Sequence, residues 1–245
     1  MREDVASPQR RLGRLCAIAA DAIGRRIVSG QVKPGDCLPT EAALCSQLGV
    51  SRTTVREAVK RLHGKGLLDG GPRTGMRVLP TSNWNQLDAD VLGWRAEGGL
   101  DAQLADQLYE VRGCVEPQAC RMAARRATAG ERQHIQALFA QLASEAGDVA
   151  AHVAADVAFH LAIFRASQNP FLITFGSAIR TGLELAFRQS QQQRRMSGTE
   201  LALHGRIADA IAAGRAEPAA VAMARLLKES RRALPAGPNP LPTDP

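Results

Sequence analysis

Apolar residues over positions 10–30 recur near a 3.6-residue period. Leu12, Leu15, Ile18, Ala19, Ala22 and Ile27 share one face, and Ser29-Gly30 ends the pattern. That spacing predicts an amphipathic helix. Pro34-Gly35 marks a turn. Thr40 stands as the N-cap of a short helix through Leu48, with Glu41 in its first turn, where a carboxylate suits the helix dipole. Gly49 ends that helix, and Ser51 caps another that runs to about His63. Two helices joined by a three-residue, Gly-containing turn predict a helix-turn-helix. Beyond it, Gly66-Leu67-Leu68 and Met76-Arg77-Val78-Leu79 flank a Gly/Pro-rich loop, which predicts two short strands around a wing.

From Trp84 onward the apolar pattern is helical. Segments 84–97, 101–126, 130–145, 148–168, 170–195, 199–213 and 215–233 are separated by Gly, Pro or Asn breaks. The fold class read from this pattern is mainly α. A winged helix-turn-helix domain spans 1–80, a linker helix 81–100, and an all-helical bundle 101–234. Residues 235–245 hold five Pro and no apolar period, so a disordered tail is expected.

Composition narrows the function classes. A chain of 245 residues suits one large or two modest domains, and 45% hydrophobic with 22% charged residues excludes wholesale disorder. Aromatics at 4% argue against a platform that stacks RNA bases. No run of about 18 apolar residues is seen, so no membrane span is expected. Met1 to Arg14 shows no apolar signal core, so a cytoplasmic protein is expected. The five Cys include no C-x-x-C pair and read as reduced thiols.

The net charge of +7 is unevenly placed. Residues 1–80 carry 14 Lys/Arg against 7 Asp/Glu, whereas residues 81–245 carry 17 of each. A basic module joined to a neutral one suits a polyanion partner for the first, although a solvated basic face has the same signature. The first 80 residues suit duplex DNA. Arg52 and Arg56 lie one turn apart at the start of the second short helix, where a recognition helix meets base edges in the major groove. Arg can bond guanine through two parallel hydrogen bonds. Thr53 and Thr54 are short donors for phosphate oxygens or thymine methyl contacts, and Arg73 and Arg77 in the wing can reach a phosphate or the minor groove. The bland alternative has Arg52 and Arg56 in surface ion pairs with Glu57 and its neighbours.

In the rear module, Asp156 and His160 are i, i+4 on a face that also carries Val153, Val157, Ile163 and Phe164. His204 recurs with Ile207 and Ile211, and Arg112 adjoins Val111 and Val115, so both are expected to point inward. Ionisable groups in an apolar stripe are costly unless paired or metal-bound. Two imidazoles, a carboxylate and an inward Arg suit a cavity that holds a divalent ion (Zn²⁺, Ni²⁺ or Mn²⁺) and a small carboxylate effector, the latter clamped by the guanidinium. A buried hydrogen-bonded Asp–His pair, and Arg112 paired with Glu116, are the bland alternatives. His152, one turn before Asp156, reads as exposed at the start of its helix. A metal-dependent enzyme is disfavoured, because there is no Glu-x-x-His on two helices and no evident general base. A sensor whose effector is the ion itself stays open.

Ile27-Val28-Ser29-Gly30, Pro34-Gly35, Leu38-Pro39-Thr40-Glu41, the run Leu48 to Ala58, Leu62, Gly66-Leu67 and Gly75 together resemble the winged-helix domain of the GntR family of bacterial transcription regulators. The resemblance implies that Arg52 and Arg56 read DNA, as a homodimer on a palindromic operator. Val111-Arg112, Val115-Glu116-Pro117, Ala123-Ala124, Asp156 to His160, Asn169-Pro170 and His204 resemble the FCD effector domain of the FadR-like branch of that family. This implies a divalent metal held by Asp156, His160 and His204. The last-helix position that carries a further His in such members is Leu226 here. That leaves the remaining coordination to water or effector, or a weakly held ion. The run Trp84 to Trp94 resembles the linker of sugar-acid-responsive members, which implies an aldonate such as galactonate as the effector, in a repressor released by it.

Overall fold

The computed structural model describes residues 8–71, 75–97, 101–144, 148–193 and 196–234. Arg73 and the stretch 235–245 lie outside the described residues. The chain divides into two compact units between Arg95 and Ala96.

The first unit contains α1 (Pro8–Val28), α2 (Glu41–Leu48), α3 (Arg52–Gly64), strands β1 (Leu68–Gly71) and β2 (Gly75–Val78), and α4 (Ala89–Arg95). The caps are those expected from the sequence. Thr40 Oγ1 accepts from Ala43 N at 3.3 Å, and Ser51 Oγ accepts from Thr54 N at 3.2 Å. Between them Gly49 sits at φ 65°, the left-handed conformation that lets the chain leave α2 and enter α3. The strands pair antiparallel, with Leu68 opposite Val78 and Asp69 opposite Arg77. Ile23 and Ile27 of α1, Leu44 of α2, Val55 and Leu62 of α3, and Val78 of the wing form one apolar core.

Helix α4 is shorter than the 84–97 expected, because Asp88 caps it. The Asp88 carboxylate accepts from the backbone N–H of Asp90 and Val91 at 3.0 and 3.3 Å and receives Lys65 Nζ at 2.7 Å. Trp84 enters that core as part of the preceding loop, donating Nε1 to the Leu79 carbonyl at 3.0 Å. The part of the 81–100 stretch up to Arg95 therefore belongs to the first unit. Val91 and Trp94 join its core, and Trp94 Nε1 donates to Asp21 Oδ1 at 2.6 Å.

The second unit contains α5 (Ala102–Arg126), α6 (Ala129–Ser144), α7 (Val149–Ala166), α8 (Pro170–Gln193), α9 (Gly198–Ala212) and α10 (Ala216–Arg232). Helix α5 lies against α7, α8, α9 and α10. Its small buried residues Ala119, Ala123 and Ala124 let neighbouring helices approach closely. Phe159 and Ile163 of α7, Leu183 of α8, Ile207 and Ile211 of α9 and Met223 of α10 fill the core. Helix α7 is long and apolar enough to cross a bilayer, which the sequence reading did not anticipate. However, 61% of it is buried within this unit, as befits a core helix.

Both tryptophans belong to the first unit, so their fluorescence reports on it alone. The Trp94 ring covers Gly24 so closely that a Cβ there would stand 2.4 Å from it. Gly24→Ala is expected to destabilise the first unit by about 1–3 kcal/mol through overpacking. Urea unfolding followed by Trp fluorescence, set beside far-UV circular dichroism of the whole chain, would measure this. An unchanged fluorescence midpoint would show that Trp94 does not hold α4 in place.

Candidate functional site

The front face is built by the start of α3. Arg52, Thr53 and Arg56 are exposed there. Arg56 Nε bonds both carboxylate oxygens of Glu41, at 3.1 and 3.0 Å, so its partner lies on α2 and is not Glu57. The Arg56 side chain is 61% exposed. Surface pairs of this kind contribute about 0–1 kcal/mol, little enough to be exchanged for a stronger anion. Thr54 departs from expectation. It is 1% exposed, and its hydroxyl lies 2.9 Å from Ser51 Oγ, so it serves the cap and the core and does not face outward. Arg77 is exposed but donates to the Gly35 carbonyl. Arg52 and Thr53 at the helix start, with Arg56 one turn on, are the expected contact residues of α3 that the structure leaves exposed.

The second unit brings Arg112, Asp156, His160 and His204 together in its interior, each 4% exposed or less. Helix α7 supplies Asp156 and His160 from one face, and α9 supplies His204. One ligand-type atom from each of Asp156, His160 and His204 lies within 4.8 Å of the others. His204 Nε2 stands 3.1 Å and His160 Nε2 3.4 Å from the same oxygen, Asp156 Oδ1.

Outer partners orient both rings. His204 Nδ1 lies 2.8 Å from the Glu200 carbonyl oxygen, which can only accept, so Nδ1 carries the hydrogen. His160 Nδ1 lies 2.5 Å from Glu116 Oε2 and donates to that carboxylate. Both Nε2 atoms therefore turn inward on a carboxylate oxygen, and a proton or a cation must stand among these acceptors. A carboxylate or carbonyl behind each histidine is the outer shell that metal-ligating imidazoles use. The residues thus fit a divalent ion.

Ionisation follows from pairing. Burial raises the carboxyl of Glu116, but the charges of Arg112 and His160 outweigh it and hold the pKa at about 2. Burial likewise works against Asp156, and the His204 charge and the hydrogen bonds to both histidines hold it well below the usual carboxylate range. For His160, burial favours the neutral ring, yet Glu116 and Asp156 raise it to about 9. An ion held at His160 Nε2 would take the place of that proton.

Arg112 is paired with Glu116, its Nε 2.6 Å from Oε1, and this is the alternative weighed from the sequence. The pair does not use up the guanidinium, because Nη1 is buried with no hydrogen-bond partner. Tyr109 Oη and His152 Nε2 are buried and unpartnered too. His152 is half-buried, not exposed as expected. Tyr109 escaped the sequence reading, although it precedes Arg112 by three residues on the same helix face. Leu226 is 1% exposed in the apolar core and supplies no ligand. An open groove of about 530 Å³ between α9 and α10, lined by Arg206, Arg225 and Lys228 among others, shares no residue with this cluster.

A winged helix-turn-helix and a separate helical unit with a buried polar cluster define a two-module transcription regulator. The chain belongs to the GntR family of bacterial regulatory proteins: residues 17–78 match that family, and residues 107–229 match the FCD domain. It is 38% identical over 199 residues to the uncharacterized HTH-type transcriptional regulator YieP of Escherichia coli K12, covering 80% of this chain and 85% of that one. It is 34% identical over 168 residues to the galactonate operon transcriptional repressor of the same organism, covering 69% and 73%. With that organism's putative L-lactate dehydrogenase operon regulatory protein it shares 32% over 218 residues, covering 86% and 82%. A solved structure described as "Lar controls the expression of the Listeria monocytogenes agr system and mediates virulence" matches 89% of this chain and 95% of its own. Its TM-score is 0.63 at 18% identity, a likeness of fold.

Glu116 holds two buried cations at once. Glu116→Ala is expected to destabilise the second unit by about 3–5 kcal/mol, because Arg112 and His160 would be left without their shared partner. Denaturation followed by circular dichroism would measure it. A loss under about 1 kcal/mol would mean that the pair is not needed for folding.

Proposed function

We propose that this regulator is a bacterial repressor, cytoplasmic and dimeric, that reads a short palindrome and is released by a small carboxylate effector bound beside a divalent ion. The observation that carries the reading is the convergence, in one buried cluster, of three metal-type ligands with a guanidinium whose Nη1 has no partner. Relatives named for galactonate and L-lactate operons support a hydroxy acid as the effector, with an aldonate the foremost candidate.

Arg52, Thr53 and Arg56 contact base edges and phosphates, with Arg77 at the backbone if it releases Gly35. Asp156, His160 and His204 hold the ion (Zn²⁺, Ni²⁺ or Mn²⁺), with Leu226 leaving positions for water or effector oxygens. The ion supplies positive charge and open coordination for an anionic oxygen. Arg112 Nη1 bonds the effector carboxylate while Nε stays on Glu116. The effector acts by binding more tightly to the dimer geometry that does not fit DNA. Such couplings usually amount to about 1–3 kcal/mol.

Arg52→Ala is expected to lose about 1–3 kcal/mol of discrimination between a duplex enriched on the wild-type protein and a scrambled one, measured by gel shift. Equal losses on both duplexes would make Arg52 a phosphate contact only. Asp156→Ala is expected to bind that duplex within about twofold of wild type but to lose uptake of Zn²⁺ or Mn²⁺ and the response to aldonates. Calorimetric titration of chelator-treated protein, then gel shifts with D-galactonate, would check both. If chelator alone changes duplex affinity and no acid does, the ion itself is the effector.

A further inference from the structure

Among the described residues of the second unit, three buried polar atoms have no hydrogen-bond partner: Tyr109 Oη, Arg112 Nη1 and His152 Nε2. Leaving such an atom unpaired inside a protein is costly, and sites that bind a polar ligand are where the cost is tolerated. Two of the three are adjoining residues of one α5 face. The Arg112 guanidinium carbon stands 4.6 Å from the centre of the Tyr109 ring. The same guanidinium is also stacked on Phe187 at 5.1 Å and tethered through Nε to Glu116, so its free edge is fixed in direction. The Tyr109 hydroxyl lies close enough to the Arg112 guanidinium to interact with it, though without hydrogen-bond geometry, and within electrostatic reach of Asp156 and Glu116; burial keeps it from ionising. It therefore acts as a neutral O–H that can donate one hydrogen bond and accept another.

We infer that Tyr109 is a specificity-determining residue of the effector site: its hydroxyl bonds a hydroxyl group neighbouring the effector carboxylate while Arg112 Nη1 bonds the carboxylate itself, so the site selects hydroxy acids over acids that lack that hydroxyl. This rests on the carboxylate-effector reading and adds the residue that distinguishes a hydroxy acid from other carboxylates at that site. The reason for selectivity is the buried phenol. A ligand without the hydroxyl leaves Oη as poorly satisfied as it is in the empty site, whereas a hydroxy acid gives it a partner. The alternative role for Tyr109 is a flat platform beneath the guanidinium, which needs the ring and not the hydroxyl.

Tyr109→Phe separates these roles, since it keeps the ring and removes only Oη. The probes are D-galactonate against its 2-deoxy counterpart, and lactate against propionate, each titrated calorimetrically into metal-loaded full-length protein. Wild type is expected to prefer the hydroxy acid of a pair by about tenfold. Tyr109→Phe should bring that preference to within about twofold while leaving the deoxy acid's affinity unchanged. Retention of the full preference by the variant, or equal weakening of both acids, would overturn the assignment to Tyr109 and leave the carboxylate reading standing. If wild type binds neither member of either pair, both fall.

A second measurement does not depend on the variant's folding. Tyr109 is the chain's single tyrosine, so biosynthetic fluorotyrosine yields one ¹⁹F resonance. That resonance should shift on adding the hydroxy acid and stay within about a linewidth with the deoxy acid. Identical shifts with both would count against the inference.

Discussion

A single carboxylate, Glu116, makes the interior of the second unit possible. Desolvating a guanidinium or an imidazolium costs several kcal/mol per ion, and no apolar contact returns that. Glu116 is 1% exposed and reaches both, with one oxygen 2.6 Å from Arg112 Nε and the other 2.5 Å from His160 Nδ1. For that to happen, α5 and α7 must lie side by side in one register. The run of alanines on α5 allows its neighbours to approach, and the electrostatic cluster selects the register among those the apolar packing permits. Glu116 also directs what remains free. With Nδ1 of His160 engaged, Nε2 must face Asp156. With Nε of Arg112 engaged, Nη1 is the atom left to seek a partner.

The two units solve opposite problems. The first keeps Arg52 and Arg56 exposed on a capped helix over a core of Leu44, Val55 and Leu62, and the Glu41 pair that restrains Arg56 is weak enough to give way. The second buries its charges in pairs, Arg112 and His160 on Glu116 and His204 on Asp156. A surface that meets a polyanion needs accessible cations, whereas a pocket that discriminates between metabolites needs dry, oriented and partly unsatisfied groups. The trio of Lys65, Asp88 and Asp90, together with Trp94 on Asp21, shows that α4 is bound to the DNA-reading unit as part of its core and does not act as a free tether.

The elements themselves were legible because their signals are local. The N-caps Thr40 and Ser51, the left-handed Gly49 and the 3.6-residue apolar periods need only neighbouring residues to act, and each helix of the second unit begins and ends within a few residues of its expected bounds. Helix α4 is the exception. The apolar and aromatic spacing from Trp84 to Trp94 continues the helical pattern, but Asp88 turns back on its own backbone and makes Ala89 the first helical residue. Thr54 failed similarly: a hydroxyl next to Thr53 looks equally available for DNA until the cap from Ser51 and the core beneath α3 take it up.

By itself the sequence determined the fold class, the basic front module, and the membership of Asp156, His160, His204 and Arg112 in inward-facing stripes, since periodicity and charge are properties of a chain read in one dimension. Only the tertiary structure decided what those inward groups meet. That Glu116 is shared by Arg112 and His160, that two Nε2 atoms converge on one oxygen of Asp156, and that Tyr109 Oη and His152 Nε2 are buried without a geometric hydrogen bond all depend on which helices touch and at what register. A pairing potential of this kind is a property of three helices at once, and no spacing within any one of them encodes it.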